Sequence, residues 1–188
     1  MARLFNNAVT LSHKFIAEVV RLGDTVIDAT VGNGGDTLFL AQLVGATGRV
    51  IGFDTQLSAL ERTGDRLKEV GLRQRVSLIH SGHENLTKHV KEPVKACMFN
   101  LGYLPGGEHN IVTLPDTTKA AIEQALTVLE RNGLITVVIY TGHTGGTEEA
   151  AAVAEFVSKL PQHLWDVAEI TFPNRKNHPP YLLTIQRR

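Results

Sequence analysis

The stretch "VIDATVGNGGDTLFLA" (residues 26–41) runs from an apolar, strand-like segment through a cluster of glycines into a helix-like segment. Strand, glycine turn and helix in that order form the opening unit of an open α/β sheet, whose ligand lies beyond the carboxyl ends of the central strands. Gly32 and Gly34 fit the first two glycines of the G-x-G-x-x-G fingerprint, and Thr37 stands at the third. Two carboxylates, Asp28 and Asp36, flank the turn where a pyrophosphate would otherwise dock at a helix N-terminus. Unit charges ~4 Å apart at an effective dielectric of about 20 interact by roughly 4 kcal/mol. That sign repels a pyrophosphate and attracts a ligand bearing ammonium or sulfonium. S-adenosylmethionine carries both cations. The alternative is a turn that serves backbone geometry only, with Asp36 as a helix N-terminal charge.

Outward from this unit, strand-like and helix-like segments alternate along the chain. Apolar spacing predicts helices over 10–22, 35–44, 57–70, 115–133 and 148–160. Pro115 starts the fourth of these, and Gly71 and Gly133 are expected to end the third and the fourth. Strands are expected over 25–30, 48–54, 75–80, 94–100, 134–140, 164–172 and 181–186. Continuous apolar strands alternating with helices imply an α/β fold with a mostly parallel seven-stranded sheet covered on both faces. The turn "PNRKNHPP" is too short for a parallel crossover, so the last two strands should pair antiparallel. With no repeat, low-complexity tract or linker, residues 1–188 read as one domain. The final strand pair leaves an exposed edge on which a partner, including a second copy in a homodimer, could pair.

The ends of the predicted strands carry the other candidate residues. Asp54 closes the second strand about 20 residues past the glycines, where an acid accepts hydrogen bonds from ribose hydroxyls; it could instead cap the following helix. Gln56 then faces the adenosine end. In "HSGHENL" (80–86), Ser81 and His83 are placed against a base, with Glu84 or Asn85 at its edge; the bland reading is a loop entering a helix. The fourth strand ends in "FNLGYLPGGEHN" (99–110), and Asn100 through Tyr103 resembles the [DN]-P-P-[YF] motif of amino-group methyltransferases, departing from it at Leu101 and Gly102; the alternative is an ordinary Gly/Pro loop. An Asn oxygen and a backbone carbonyl can accept the N–H bonds of an amine and aim its lone pair. Tyr103 can stack on a planar base. The amine must also lose a proton, for which His109 and His143 are candidates. "YTGHTGGTEEA" (140–150), with Gly142, Gly145 and Gly146, is expected to wall the acceptor pocket or to be a plain strand-to-helix turn.

Composition narrows the classes. Hydrophobic residues are 43% and charged residues 20%, as in ordinary globular domains. No apolar run approaches the ~18–20 residues of a membrane span, and "MARLFNNAVTLSHKF" lacks a signal-peptide core, so a cytoplasmic location is expected. The single cysteine, Cys97, excludes an internal disulfide. No His, Asp and Glu spacing suits a metal, and none is expected. Basic and acidic residues number 19 each, which neither favours nor excludes a nucleic-acid partner.

Taken in order, "DATVGNGGDTLFLA", "GFDTQ", "SGHENL", "NLGYLPGGEHNIVT", "LPDTT" and "YTGHTGGTEE" resemble the YtqB-type rRNA methylase family over nearly the whole chain, departing from its pattern at Gly35 and Thr55. The resemblance implies a Rossmann-like class I methyltransferase fold using S-adenosylmethionine. It implies methylation of the exocyclic amine of 5-aminomethyl-2-thiouridine at the tRNA wobble position, giving the 5-methylaminomethyl form. It carries over Asp28, Asn33, Asp36, Thr37, Asp54, Gln56, Ser81 and His83 to the cofactor, beside which Thr30, Gly32, Gly34 and Glu84 are also expected to bind it. It carries Asn100, Leu101, Gly102, Tyr103, Leu104 and Pro105 to the acceptor amine and base. A tRNA anticodon stem-loop would then meet a basic rim of Arg175 and Lys176, the tail Arg187 and Arg188, and Arg3 and Lys14, with a flipped base beside Tyr103 or Tyr181. The alternatives are a methyltransferase for rRNA or a small amine, a nicotinamide-dependent oxidoreductase, and a non-catalytic RNA-binding domain.

Overall fold

The strands Val26–Ile27, Val50–Ile51 and Ala96–Phe99 are almost wholly removed from solvent, which requires cover on both faces of the sheet they form. The computed structural model describes residues 5–102, 113–142, 144–177 and 179–188, and shows that cover. In chain order the elements are α1 (Ala8–Val19), β1 (Thr25–Asp28), α2 (Gly35–Leu43), β2 (Arg49–Asp54), α3 (Leu57–Glu69), β3 (Val76–His80), α4 (Leu86–His89), β4 (Val94–Asn100), α5 (Pro115–Val128), β5 (Leu129–Ile139), α6 (Gly146–Ser158), β6 (Trp165–Ile170) and β7 (Tyr181–Arg187). Single 3-10 turns at Arg73–Arg75 and His83–Asn85 precede β3 and α4.

The seven strands lie in the order β3-β2-β1-β4-β5-β7-β6. β1 to β5 are parallel; β7 pairs antiparallel with both β5 and β6, as the short final connection requires. Alternate side chains serve opposite layers. Val26, Val50, Val76, Ala96, Met98 and Leu134 pack with Ile16, Leu40 and Leu67 from α1, α2 and α3. Ile27, Ile51, Phe53, Cys97, Phe99 and Ile135 pack with Leu86, Ile122 and Val153 from α4, α5 and α6. The chain leaves β1 outward to β2 and β3, then returns to β4 on β1's other side. A crevice therefore opens at the carboxyl ends of β1 and β4.

The structure corrects two helices. α1 begins at Ala8 rather than residue 10, because the Asn7 side chain accepts from Thr10 N at 2.7 Å, and it ends at Val19. α5 stops at Val128, and Gly133 lies inside β5 instead of ending a helix. Leu129 leaves the helix to bury itself opposite Val94, and Asn132 turns the chain at φ 59° before Leu134 resumes pairing with Ala96. Burial of Leu129 outweighs the helix propensity of "ERN". Leu129→Ala is therefore a core truncation and should cost about 2–5 kcal/mol in chemical denaturation. A loss within ~0.5 kcal/mol would restore the helical reading of 129–133.

Candidate active site

The glycine turn after β1 is held by charges and tight backbone geometry. Gly34 caps α2 in the left-handed region at φ 78°, with Thr63 so close that a Cβ would lie 2.6 Å from its hydroxyl. Gly32 also has positive φ, at 50°, and its N–H donates to Asp54 Oδ2 at 2.8 Å. The other Asp54 oxygen accepts from Gln56 N at 2.8 Å, so Gln56, not Asp54, is the cap of α3. One acid thus ties the ends of β1 and β2 together. Each of its oxygens keeps a further lone pair.

A cavity of about 770 Å3 opens above this turn. Thr30, Gly32, Asn33, Asp36, Asp54, Gln56, Ser81, His83 and Glu84 line it, as do Asn100, Leu101 and Gly102. Among the expected cofactor residues, Asp28, Gly34 and Thr37 lie behind its wall. The Asp28 carboxylate is wholly buried and accepts from Thr37 Oγ1 at 2.6 Å and from Thr30 N at 3.1 Å. Burial, and then the nearby charge of Asp36, raise its pKa from 3.8 to about 7, against the pull of those two bonds. This corrects the electrostatic expectation: Asp36 and Asp54 face the cavity, whereas Asp28 braces the turn from below.

Asp36 is the junction of the site. His13 Nε2 donates to its Oδ1 at 2.6 Å, and Asn100 Nδ2 donates to its Oδ2 at 3.3 Å. A carboxylate only accepts, so this bond fixes the Asn100 amide with its nitrogen on Asp36 and leaves its oxygen as an acceptor. Asn100 N also donates to Thr30 Oγ1 at 2.8 Å, which fixes the end of β4 against the turn. The His13 ring stacks on Phe39 at 4.0 Å and 2°. Burial lowers the His83 pKa, so the ring is neutral at neutral pH; Nδ1–H then donates to Ala29 O at 3.2 Å and leaves Nε2 as an acceptor.

Sequence reasoning missed His13, Val9, Phe53, Thr113, Leu114 and Thr117, all of which line the cavity. Val9 and His13 are four apart on α1, a spacing that puts both on one helix face. Nothing local announced the network below Gly102. Thr113 Oγ1 accepts from Gly102 N at 2.9 Å and donates to Glu149 Oε2 at 2.8 Å, while Thr118 Oγ1 donates to Glu149 Oε1 at 2.6 Å. Glu149 is 1% exposed, so these hydroxyls answer a buried carboxylate and fasten α5 and α6 to the Gly102 end of the cavity.

Other expected contacts are placed elsewhere. Tyr103, Leu104, Pro105, His109 and His143, and Arg3, lie outside the described residues. Among described residues of 140–150 only Tyr140 lines the cavity; Gly145 instead caps α6 at φ 82°. Tyr181 opens β7 opposite Ile139 and is half buried without lining the cavity. Arg175 donates to the backbone oxygens of Phe5 and Asn6 and covers the Phe172 ring at 3.8 Å, so it staples the N-terminal segment; Lys176 is exposed. The tail does not reach the expected rim. Because β7 runs antiparallel, Arg187 ends at the opposite edge of the sheet, donating to Leu129 O, and Arg188 pairs with Asp166. Among the described residues no group of three or more His, Cys, Asp and Glu could hold a metal ion, and no helix is long and apolar enough to cross a membrane.

The buried Asp28 generates a pH prediction. Between about pH 4 and 7 the unfolded chain releases a proton that the folded chain keeps, so ionisation favours unfolding and stability falls as pH rises through that window. Asp28→Asn carries no such proton. Its stability relative to the parent should rise across the window by at most about 1.4 kcal/mol per pH unit and level off above. Denaturant melts at several pH values measure this; a constant gap would mean that Asp28 is ionised when folded.

Comparison with known proteins places this geometry in a family. The family model described as "Putative rRNA methylase" matches residues 50–186. The chain is 39% identical over 190 residues to the "tRNA (mnm(5)s(2)U34)-methyltransferase, chloroplastic" of Arabidopsis thaliana, covering 96% of this chain and 69% of that protein. It is 47% identical to a crystallised "putative rRNA-methylase" from Clostridium thermocellum, with TM-score 0.96 over 98% of this chain and 99% of that one. It is 37% identical to a "putative methyltransferase" from Streptococcus mutans solved in complex with SAH, with TM-score 0.90 over the whole of both chains. The likenesses to the relative and the two solved structures run over nearly the whole chain, and the family model matches well over half of it, from β2 through β7, so the chain belongs to the family that the "Putative rRNA methylase" model describes and is a methyltransferase with a Rossmann-like fold.

Proposed function

We propose that the protein methylates the exocyclic amine of 5-aminomethyl-2-thiouridine at the wobble position of tRNA, giving the 5-methylaminomethyl form. The methyl donor is S-adenosylmethionine, which when bound supplies a methyl group made electrophilic by a sulfonium. The residues present suit it. Asp36 and Asp54 put negative charge on the cavity wall, Gly32 lets a ligand approach the backbone, and His83 and Gln56 offer polar atoms to a base. Asp54 has lone pairs left for ribose hydroxyls.

The observation that carries the amine reading is the tethered Asn100. With its Nδ2 given to Asp36, its Oδ1 is the fixed acceptor at the end of β4, where an acceptor amine is held by one N–H with its lone pair free to react. The wobble substrate is favoured by the identity shared along 96% of the chain with the Arabidopsis tRNA methyltransferase. An anticodon loop presents unstacked bases, which a concave site can take one at a time. The oxidoreductase and the non-catalytic reading lose their basis with membership of a methyltransferase family.

Nucleoside mass spectrometry of tRNA and rRNA from a strain lacking the gene tests the assignment. Loss of 5-methylaminomethyl-2-thiouridine with accumulation of the aminomethyl precursor is expected; a lost methyl group in rRNA with tRNA unchanged would replace the tRNA reading. Asn100→Ala should lower transfer by about 10²-fold, as expected when a positioning contact is lost, while still binding SAH in calorimetry. Full activity in that variant would remove Asn100 from the acceptor site.

A further inference from the structure

We propose that the His13–Asp36 pair takes the proton that the acceptor amine must lose before its lone pair can accept the methyl group. This rests on the amine reading above. An alkyl amine of lysine type has a pKa near ~10.4 and enters the site as an ammonium, which has no lone pair. The acceptor contact at Asn100 orients an amine without deprotonating it. A base must therefore stand within reach of the atoms that Asn100 holds.

His13 meets that need by geometry. Its side chain lines the cavity and is 27% exposed, so a proton taken up there can pass to solvent. Its Nε2 donates to Asp36 Oδ1 at 2.6 Å, which puts the basic lone pair on Nδ1 and stabilises the imidazolium once formed. Stacking on Phe39 holds the ring in that plane. The second Asp36 oxygen holds Asn100, so one carboxylate spaces the base and the amine acceptor from each other. In the step, an N–H bond breaks with its electron pair left on nitrogen, and the proton adds to His13. Transfer then forms the nitrogen–carbon bond as the carbon–sulfur bond breaks, with its electrons going to sulfur.

The other ionisable groups near α1 do not substitute. Just past the end of β5, burial and then the charge of Asp36 push the Tyr140 phenol up, so it stays protonated. On β7, burial pushes Tyr181 up. Asp28 is sealed behind Thr37 and Thr30, and His83 is buried with Nδ1 on Ala29 O. Lys95, Glu130 and Arg187 lie at the opposite end of the sheet.

The test is the pH profile of kcat/KM for methyl transfer to aminomethyl-bearing tRNA, with the parent, His13→Gln and His13→Asn, and with the product nucleoside identified by mass. SAH calorimetry on the same proteins establishes that each variant is folded. The expected result is a loss of about 10²-fold near neutral pH that shrinks as pH rises and solvent supplies the free amine, with SAH affinity unchanged. A methylated amine with parallel pH profiles, or with an undiminished rate, overturns the role of His13 alone. A product methylated on carbon or oxygen, or no transfer by the parent, overturns the amine reading and this proposal together. Loss of SAH binding in both variants makes His13 a structural residue and overturns the proposal too.

Discussion

The parallel pairing of β1 with β4, Val26 against Ala96 through Asp28 against Met98, is the constraint on which the site depends. It joins segments about 70 residues apart in the chain, and it does so because both strands are apolar on both faces and must be covered on each. Once they lie side by side, the glycine turn and Asn100 emerge at the same edge. The crevice between the two strand ends is then a consequence of strand order, and no loop has to reach across to build it.

Carboxylates organise that edge, each at a different depth. Asp28 is buried and hydrogen-bonded, and holds the turn through Thr37 and Thr30. Asp54 faces the cavity while fastening Gly32 and the start of α3. Asp36 presents one oxygen to a histidine and the other to an asparagine, so its charge is shared between an imidazole and an amide. Glu149, farther along, answers two threonine hydroxyls and through Thr113 holds Gly102. A buried carboxylate costs free energy unless it is bonded, and each of these is bonded in a way that also fixes a piece of the cavity wall.

Burial explains which elements were legible in the sequence. β4 was readable because "ACMF" within "VKACMFN" is an apolar run, and the antiparallel last pair because its connection is short. The end of α5 was not, since "LERNG" has helical composition while Leu129 is claimed by the core opposite Val94. The electropositive guest was inferred from two acids, and one of them proved to be a buried brace. Basic residues at the tail looked like a rim, yet the direction of β7 carries them to the other edge of the sheet.

From the chain alone came the α/β alternation, the turn after β1, the acid ending β2 and the asparagine ending β4, because each is a local pattern of residue type and spacing. The tertiary structure alone decided that His13 meets Asp36, that Asp36 meets Asn100 and that Glu149 meets Thr113 and Thr118. Those contacts join residues 23 to 64 positions apart, and a side-chain hydrogen bond reaches about 3 Å. Spacing along the chain carries no record of such proximity; only the packing of α1, α5 and α6 against the sheet creates it.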